Sequence, residues 1–209
     1  MMESEWLTIF NENKEPIGKA TREEVHKKGY WHETFHCWFI SKEREKTYLY
    51  FQLRSKCKKD YPNLLDITAA GHLMSHETVS DGVREVKEEL GIDVSMAELV
   101  SLGVIPYSAE YTNLIDREMA HVFIYSCNLA WDDFKLQKEE VSGILKMEIS
   151  HFYKLWFKNE QEVPAAGFEV NETGKTVIVE RRITKAEFVQ HEDSYFEKVL
   201  NGIRAIKFR

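Results

Sequence analysis

The run from Arg84 to Gly91, REVKEELG, constrains this chain more than any other part of its sequence. On a helix that turns by about 100° per residue, Glu85, Glu88 and Glu89 fall on one stripe, and an apolar seam faces elsewhere. Carboxylates three and four residues apart repel each other, a cost that folding alone does not require. A hard divalent cation, which prefers oxygen ligands, would reverse that repulsion. The pattern therefore predicts a metal site, against the alternative of an ordinary solvated acidic face.

The sequence also predicts where this acidic helix begins and ends. Thr78-Val-Ser-Asp81 is a capping-box pattern, which is typical of a helix start. Gly91 can adopt the left-handed conformation that closes a helix. We therefore expect a helix over residues 79–90.

The composition narrows the class of protein. A chain of 209 residues with 43% hydrophobic and 30% charged content is long enough for one well-buried core plus an extension. Its formal charge of −7 argues against a nucleic-acid polymer as the main partner, because phosphate backbones bind clustered Lys and Arg. The three scattered cysteines lack CxxC spacing, which favours reducing cytoplasm over a disulfide framework. No apolar run is long enough to span a membrane.

Predicted strands and helices alternate, but the hairpins are too numerous for an all-parallel sheet. We predict an α+β fold, with a mixed central sheet covered by helices. The predicted strands are 6–10, 35–40, 47–53, 65–71, 99–105, 120–126, 141–147 and 175–180, and the predicted helices are 21–28, 79–90, 150–159 and 194–206. Residues 1–160 are expected to form the main domain, with residues 161–209 as a strand and helix extension packed on it. The periodicity of the helix over 194–206 predicts a buried side made of Tyr195, Phe196, Val199, Leu200 and Ile203.

Two segments together resemble a known signature. Gly71-His-Leu-Met-Ser-His-Glu77, followed by Arg84-Glu-Val-Lys-Glu-Glu-Leu-Gly-Ile92, looks like the Nudix box of hydrolases that act on nucleoside diphosphates linked to another group. The resemblance implies the family's α-β-α sandwich over roughly the first 150 residues. One departure is that six residues separate Glu77 from Arg84, one fewer than in the family's pattern. This departure leaves the roles of Gly71 and Glu77 open.

The resemblance implies a set of metal and catalytic residues. Glu85, Glu88 and Glu89 would bind Mg²⁺ (or Mn²⁺), and Arg84 would orient a glutamate by ion pairing. The metal would neutralise a diphosphate and activate a water for attack at phosphorus. A carboxylate must accept the proton of that water. Family members take this base either from the box helix or from a glutamate far along the chain, where Glu118, Glu139 and Glu140 are the candidates. The predicted catalytic residues are Arg84, Glu88, Glu118 and Glu140.

A basic loop, residues 54–59, lies one strand before the box. It can bring cations to phosphate oxygens. The predicted substrate-binding residues are Arg54, Lys58, Lys59 and Gly71. The alternative for the lysines is a solubilising turn.

An upstream pattern resembles the branch of the Nudix superfamily that includes isopentenyl-diphosphate isomerase. In that isomerase a cysteine transfers a proton, and a metal is held by residues that match His26, His32, His72, Asp116 and Glu118. This chain has Ala70 at the position of the cysteine, and an alanine can neither donate nor accept a proton. Hydrolysis of a diphosphate linkage is therefore the predicted reaction. An isomerase-like enzyme and a non-catalytic nucleotide-binding Nudix module are the alternatives.

The histidines of this pattern have two interpretations. They can form a second metal site with the carboxylates, or they can be hydrogen-bonded structural residues. We do not place them among the predicted ligands. The expected partner is a small-molecule diphosphate substrate, with no nucleic-acid polymer and no membrane. A homodimer is compatible with the resemblance, because family members often pair.

Overall fold

Strands and helices alternate along residues 5–111 and 114–206, the parts of the chain that the computed structural model describes. The strands are β1 (Trp6–Phe10), β2 (Pro16–Thr21), β3 (Trp31–Glu43), β4 (Lys46–Arg54), β5 (Leu65–Ile67), β6 (Ala69–His72), β7 (Leu99–Tyr111), β8 (Leu114–Ser126), β9 (Val141–Glu148), β10 (Glu162–Val170) and β11 (Thr176–Thr184). The helices are α1 (Arg22–Lys28), α2 (Arg84–Leu90), α3 (Ile149–Phe157) and α4 (Asp193–Ala205). None of these helices is long and apolar enough to cross a bilayer.

The strands form one mixed sheet. Its main path runs β11-β10-β9-β4-β3-β1-β2, and β6 also pairs with β3. Strand β8 pairs in parallel with β3 over ten residue pairs, from Trp31↔Arg117 to Ile40↔Ser126. The hairpin partner β7 is antiparallel to β8. This pairing confirms the predicted mixed sheet.

The two faces of β3 contribute to different hydrophobic clusters, because successive side chains on a strand point to opposite faces. Phe35, Cys37 and Phe39 pack in a cluster with side chains of α2. Trp38 and Ile40 pack in another cluster with side chains of α3 and α4. Helices thus cover both faces of the sheet, which is the predicted α-β-α arrangement.

The helix predicted over residues 79–90 is shorter in the structure. A 3-10 turn at Asp81–Val83 precedes α2, which begins at Arg84. The Asp81 carboxylate accepts a hydrogen bond from the Thr78 backbone N–H at 2.8 Å, so the expected cap closes a turn instead. Gly82 lies so close to the Phe35 ring that an added Cβ would overlap it, which presses the turn onto the sheet. The closing role of Gly91 is confirmed by its φ of 72°.

Strand β10 was not among the predicted strands. Its sequence, EVPAAGFEV, contains Pro, Gly and two Ala, all of which are depleted in strands. It nevertheless pairs with β9 on one side and β11 on the other. Long-range pairing therefore overrides local preference at this position.

The extension packs through helix α4. The α4 side chains predicted to be buried are all buried, and they share a cluster with Phe152 and Trp156 of α3; they are Tyr195, Phe196, Val199, Leu200 and Ile203. That residues 161–209 form part of the main domain stays a prediction, which unfolding can test.

Replacing Phe196 by Ala tests this prediction. The ring is 2% exposed, so the variant should lose about 3–5 kcal/mol of unfolding free energy, the usual cost of removing a buried aromatic ring. The matched control is Lys198→Ala on the exposed face of α4, which should stay within about 0.5 kcal/mol of the wild type. Denaturant unfolding should give one transition for all three proteins. A separate early transition that carries the whole effect would mean that the extension is an independent unit.

Candidate functional site

One cavity of about 310 Å³ gathers residues from α1, α2, β3, β6, β8 and the segment before α4. Of the predicted site residues, all except Lys59 line it: Arg54, Lys58, Gly71, Arg84, Glu85, Glu88, Glu89, Glu118 and Glu140. Lys59 is exposed outside the cavity. The residues that the sequence assigns to metal, substrate and catalysis thus lie around a single space.

The acidic side chains of α2 reach the cavity across strand β6. A Cβ on Gly71 would collide with the Glu85 carboxylate, so the missing side chain creates the room for that acid. Glu89 is buried, and its Oε2 accepts hydrogen bonds from the Ala70 N–H at 3.2 Å and the Gln52 amide at 3.3 Å. In the structure, Gly71 therefore accommodates Glu85.

Arg84 pairs with Glu77, although the loop between them is one residue short. Its Nε and Nη2 donate to the two oxygens of Glu77 at 2.5 and 2.9 Å. Nη1 donates to Glu85 at 2.6 Å and to Glu88 at 3.1 Å, and Nη2 also donates to the His72 carbonyl at 3.1 Å. The hydrogen bonds from Arg84 lower the pKa of Glu77. One guanidinium thus connects the box loop, strand β6 and two of the three acids.

Two of the α2 acids have raised pKa values. Burial raises the pKa of Glu85 to about 7, with Arg84 opposing and the charge of Glu88 adding to the effect. Burial and the charge of Glu85 raise the pKa of Glu89 well above its usual value. A cation would favour the ionised form of both, so this all-oxygen donor set suits a hard divalent ion. Among the described residues, the three α2 acids are not one of the groups whose ligand atoms all lie within 4.8 Å of one another.

Three histidines converge beside another part of the cavity: His26 and His72 line it, and His32 is fully buried next to them. The rings of His26, His32 and His72 lie 5.1–5.2 Å apart, centroid to centroid. The Nδ1 of His26 lies 2.8 Å from the Arg22 carbonyl, and that of His32 lies 3.1 Å from the Tyr30 carbonyl. A carbonyl only accepts, so both Nδ1 atoms carry the proton and both Nε2 atoms present lone pairs.

Unpartnered polar atoms make this cluster a candidate metal site. Within the described ranges, His32 Nε2, His72 Nε2 and Asp116 Oδ1 are buried without a hydrogen-bond partner. Ligand atoms of His26, His32 and His72, and likewise of His32, Asp116 and Glu118, lie within 4.8 Å of one another. Buried polar groups without partners are rare, and each needs an explanation. These donors fit a divalent ion that accepts both nitrogen and oxygen ligands, such as Zn²⁺ or Mn²⁺.

The charge states in the cluster agree with this fit. Burial lowers the pKa of His32 to about 4 and that of His72 well below its usual value, so both rings are neutral at pH 7. Burial and the charge of Glu118 raise the pKa of Asp116. Burial acts the same way on Glu118, but effects led by the hydrogen bond from His36 outweigh it and bring the pKa to about 2.

The predicted phosphate-binding cations are held by acids. Arg54 donates to Asp66 at 3.0 Å and to the Asp60 carbonyl at 2.8 Å. Lys58 forms an ion pair with Glu140, one of the predicted bases. A substrate phosphate would therefore compete with these carboxylates for the same donors.

Two site residues come from elements that the sequence did not connect to the site. Asp66, the only charged residue of the apolar strand β5, accepts from Arg54 and lies 2.9 Å from His191 Nε2. An acid in the middle of an apolar strand was a signal that could have identified it. His191 precedes α4 and carries no comparable signal, because only the docking of the extension brings it to the cavity.

Comparisons with known proteins agree with this geometry. A family model described as NUDIX domain matches residues 30–166. A Nudix hydrolase of Clostridium acetobutylicum, named as uncharacterised, is 42% identical over 97% of this chain and 98% of its own length. A protein of Aliivibrio fischeri named isopentenyl-diphosphate Δ-isomerase is 31% identical over 68% of this chain and 78% of its own length. The crystal structure of DR0079 from Deinococcus radiodurans superposes with a TM-score of 0.51 at 22% identity, covering 71% of this chain and 86% of that one.

Replacing Glu85 by Gln should change how stability depends on pH in metal-free protein. The carboxyl of Glu85 has a pKa of about 7 when folded and 4.5 as its ordinary value, so the unfolded chain ionises first as pH rises. The wild type should lose up to about 3 kcal/mol relative to the variant between pH 4.5 and 7, and the difference should stay constant above pH 7. Denaturant unfolding in EDTA measures it. A Glu85→Gln difference that is the same at pH 4.5 and pH 8 would refute the raised pKa of this carboxyl.

Proposed function

The chain belongs to the Nudix hydrolase family, and from this premise we propose that it binds a divalent cation and cleaves a diphosphate linkage by water attack at phosphorus. The proposed substrate is a small molecule of the nucleoside-diphosphate type. The observation that carries the proposal is the burial of Glu85 and Glu89, with raised pKa values, in a cavity that also contains Arg54 and Lys58. Carboxyl groups with raised pKa values gain most from a nearby metal ion, and the neighbouring cations suit an anionic phosphate. The cavity therefore suits a metal and a phosphate bound together.

The proposed ligands of Mg²⁺ (or Mn²⁺) are Glu85, Glu88 and Glu89. When bound, the ion neutralises diphosphate charge and lowers the pKa of a bound water. Arg84 positions the acids on either side of it through its contacts with Glu77, Glu85 and Glu88. Arg54 and Lys58 orient the phosphate oxygens, with Lys59 outside the cavity as a weaker candidate.

Three carboxylates compete for the role of general base. Glu140 is partly exposed, and its ion-pair partner Lys58 is itself a proposed phosphate ligand that a substrate would draw away. Glu88 is half exposed and contacts Arg84. Glu118 is ionised at neutral pH, and both Thr34 and His36 hydrogen-bond to its Oε2. We propose Glu118 as the base in preference to the other two, because its orientation is fixed from two sides.

Isomerisation of an isoprenoid diphosphate is the second candidate. The convergence of His26, His32 and His72 with two carboxylates favours it, as does the similarity to a protein named as an isomerase. Ala70 lines the cavity and offers its methyl group where that chemistry needs a proton carrier. This single substitution makes hydrolysis the better proposal.

A non-catalytic nucleotide-binding module is less well supported. The shortened loop motivates it, yet Arg84 still pairs with Glu77 across that loop. The three cysteines are free thiols, which supports a reducing compartment such as the cytoplasm. Cytoplasmic location and a homodimer stay predictions.

A substrate panel tests the hydrolase. Purified protein with Mg²⁺ or Mn²⁺ is offered nucleoside di- and triphosphates, ADP-ribose, dinucleotides and prenyl diphosphates, and product release is measured. At least one substrate should be cleaved, with kcat reduced about 100-fold or more in Glu85→Gln and in Glu118→Gln. Glu45→Gln, in the exposed turn between β3 and β4, is the matched control. Binding of a nucleotide without turnover anywhere in the panel would favour the non-catalytic module.

Deuterium exchange separates the two enzyme proposals. Isopentenyl diphosphate incubated with the protein and metal in D₂O should gain no deuterium at its allylic carbon, because Ala70 cannot exchange a proton. NMR of the recovered diphosphate measures the incorporation. Exchange catalysed by the wild type, and lost in Glu118→Gln, would make the isomerase the correct reading.

A further inference from the structure

Helix α4 reaches the functional site through one buried hydroxyl. Tyr195 is 1% exposed, and it lies beyond residue 166, where the match to the family model ends. Its hydroxyl lies 3.1 Å from Trp38 Nε1 and 2.9 Å from His36 Nδ1. An indole nitrogen can only donate, so the hydroxyl accepts from Trp38 and has its own proton available for His36.

This donation determines which nitrogen of His36 carries a proton. When Nδ1 accepts from Tyr195, the neutral ring keeps its proton on Nε2. That Nε2 lies 3.1 Å from Glu118 Oε2 and can only donate to it. Thr34 Oγ1 donates to the same oxygen at 3.1 Å. With Nδ1 as the acceptor, Trp38, Tyr195, His36 and Glu118 form a chain of hydrogen bonds with a single direction.

The chain is buried at its Tyr195 end, and its Glu118 end lies at the cavity. Trp38, His36 and Thr34 are at most 3% exposed. They alternate along β3 together with His32, so all four lie on the same face of the strand. A hydroxyl removed from the far end of such a chain cannot be replaced easily by solvent. The carboxylate at its near end belongs to the group that also contains His32 and Asp116.

We propose that Tyr195 is a positioning residue of the site: through His36 it fixes the Glu118 carboxylate by one oxygen, so that the other oxygen is presented to the His32 and Asp116 cluster. The inference rests on the proposed function in that Glu118 belongs to its site. The extension would then be part of the site and not only a cover for the core. Outer partners that orient metal ligands typically change metal affinity by 10–100-fold when removed.

The test uses full-length protein and no substrate, so a failure of hydrolase activity is scored separately. The first measurement is ¹⁵N NMR of the His36 ring in metal-free protein. Wild type should have the proton on Nε2, and Tyr195→Phe should give a mixture of tautomers. The second is a Co²⁺ titration followed by visible absorption, with Glu118→Gln identifying the signal of the cluster. Tyr195→Phe should weaken Co²⁺ binding about 10-fold.

Matched variants separate positioning from general loss of stability. Tyr50→Phe removes another buried hydroxyl, which donates to Ser41. Tyr50 belongs to the hydrophobic cluster on the α2 face of the sheet, so this variant should leave both measurements unchanged. A glutamine side chain places its amide N–H near the Nε2 position of a histidine, whereas asparagine places it near Nδ1. His36→Gln should therefore retain Co²⁺ affinity within about 3-fold, and His36→Asn should lose about as much as Tyr195→Phe.

Three results would overturn the proposal. One is a Tyr195→Phe variant with the wild-type tautomer and the wild-type Co²⁺ affinity. Another is an equal loss in Tyr50→Phe, which would assign the effect to stability. The third is a wild-type protein that gives no Co²⁺ signal, or a signal that Glu118→Gln leaves unchanged. Either result would mean that Glu118 binds no ion.

Discussion

The acidic side of the cavity depends on the charge of Arg84. Like charges withdrawn from water repel strongly, and both Glu89, which is buried, and Glu85, whose side chain is 13% exposed, pack against strand β6. Arg84 compensates part of this cost by contacting Glu85 and Glu88, and it is itself fixed by both oxygens of Glu77. Breaking a buried ion pair by removing one partner typically costs 3–5 kcal/mol, because the remaining charge loses its compensation. The guanidinium is therefore what allows α2 to place its acidic stripe against the sheet rather than in solvent.

Strand β3 connects that acidic side with the rest of the site. One edge of β3 pairs with β8, and this pairing places His32 opposite Glu118. Its other edge pairs with β6, which brings Thr34 opposite His72. Because side chains alternate, one face of the strand supports α2 through Phe35 and the other carries the polar side chains of the cavity. A shift of register by one residue would exchange the two faces and dismantle both the core and the site.

Much of this molecule could be predicted from local sequence, and what could not be predicted is long-range. The periodicity of α4 identified its buried face, and the alternation of turns and apolar runs identified most strands of the sheet. Strand β10 was missed because its stability comes from its two neighbours, and its own residues disfavour a strand. Helix α2 starts later than predicted, at Arg84, because Gly82 packs on Phe35 in the preceding turn. No local sequence pattern encodes that contact.

The same distinction applies to the site. The acids of α2 are neighbours in sequence, so helical spacing alone could place them together. His26, His32 and His72 lie on α1, β3 and β6, and only the fold brings their rings within 5.2 Å. The resemblance to the isomerase branch singled out these histidines. Their spacing in the sequence does not distinguish metal ligands from hydrogen-bonded structural residues. The unpartnered ring nitrogens supply that means.

The cavity thus contains two donor sets of different chemistry, separated by the backbone of β6. The carboxylates of α2 suit hard ions that retain water, whereas the imidazole and carboxylate cluster suits borderline ions that accept nitrogen. Ala70 lies at the boundary, where its N–H donates to Glu89 and its side chain offers no proton to a substrate. A site with both donor sets but without a proton carrier between them can polarise and position a diphosphate, and it can orient a water. It lacks the second group that a double-bond shift requires, so the same arrangement that holds the ligands also favours hydrolysis as the chemistry of this chain.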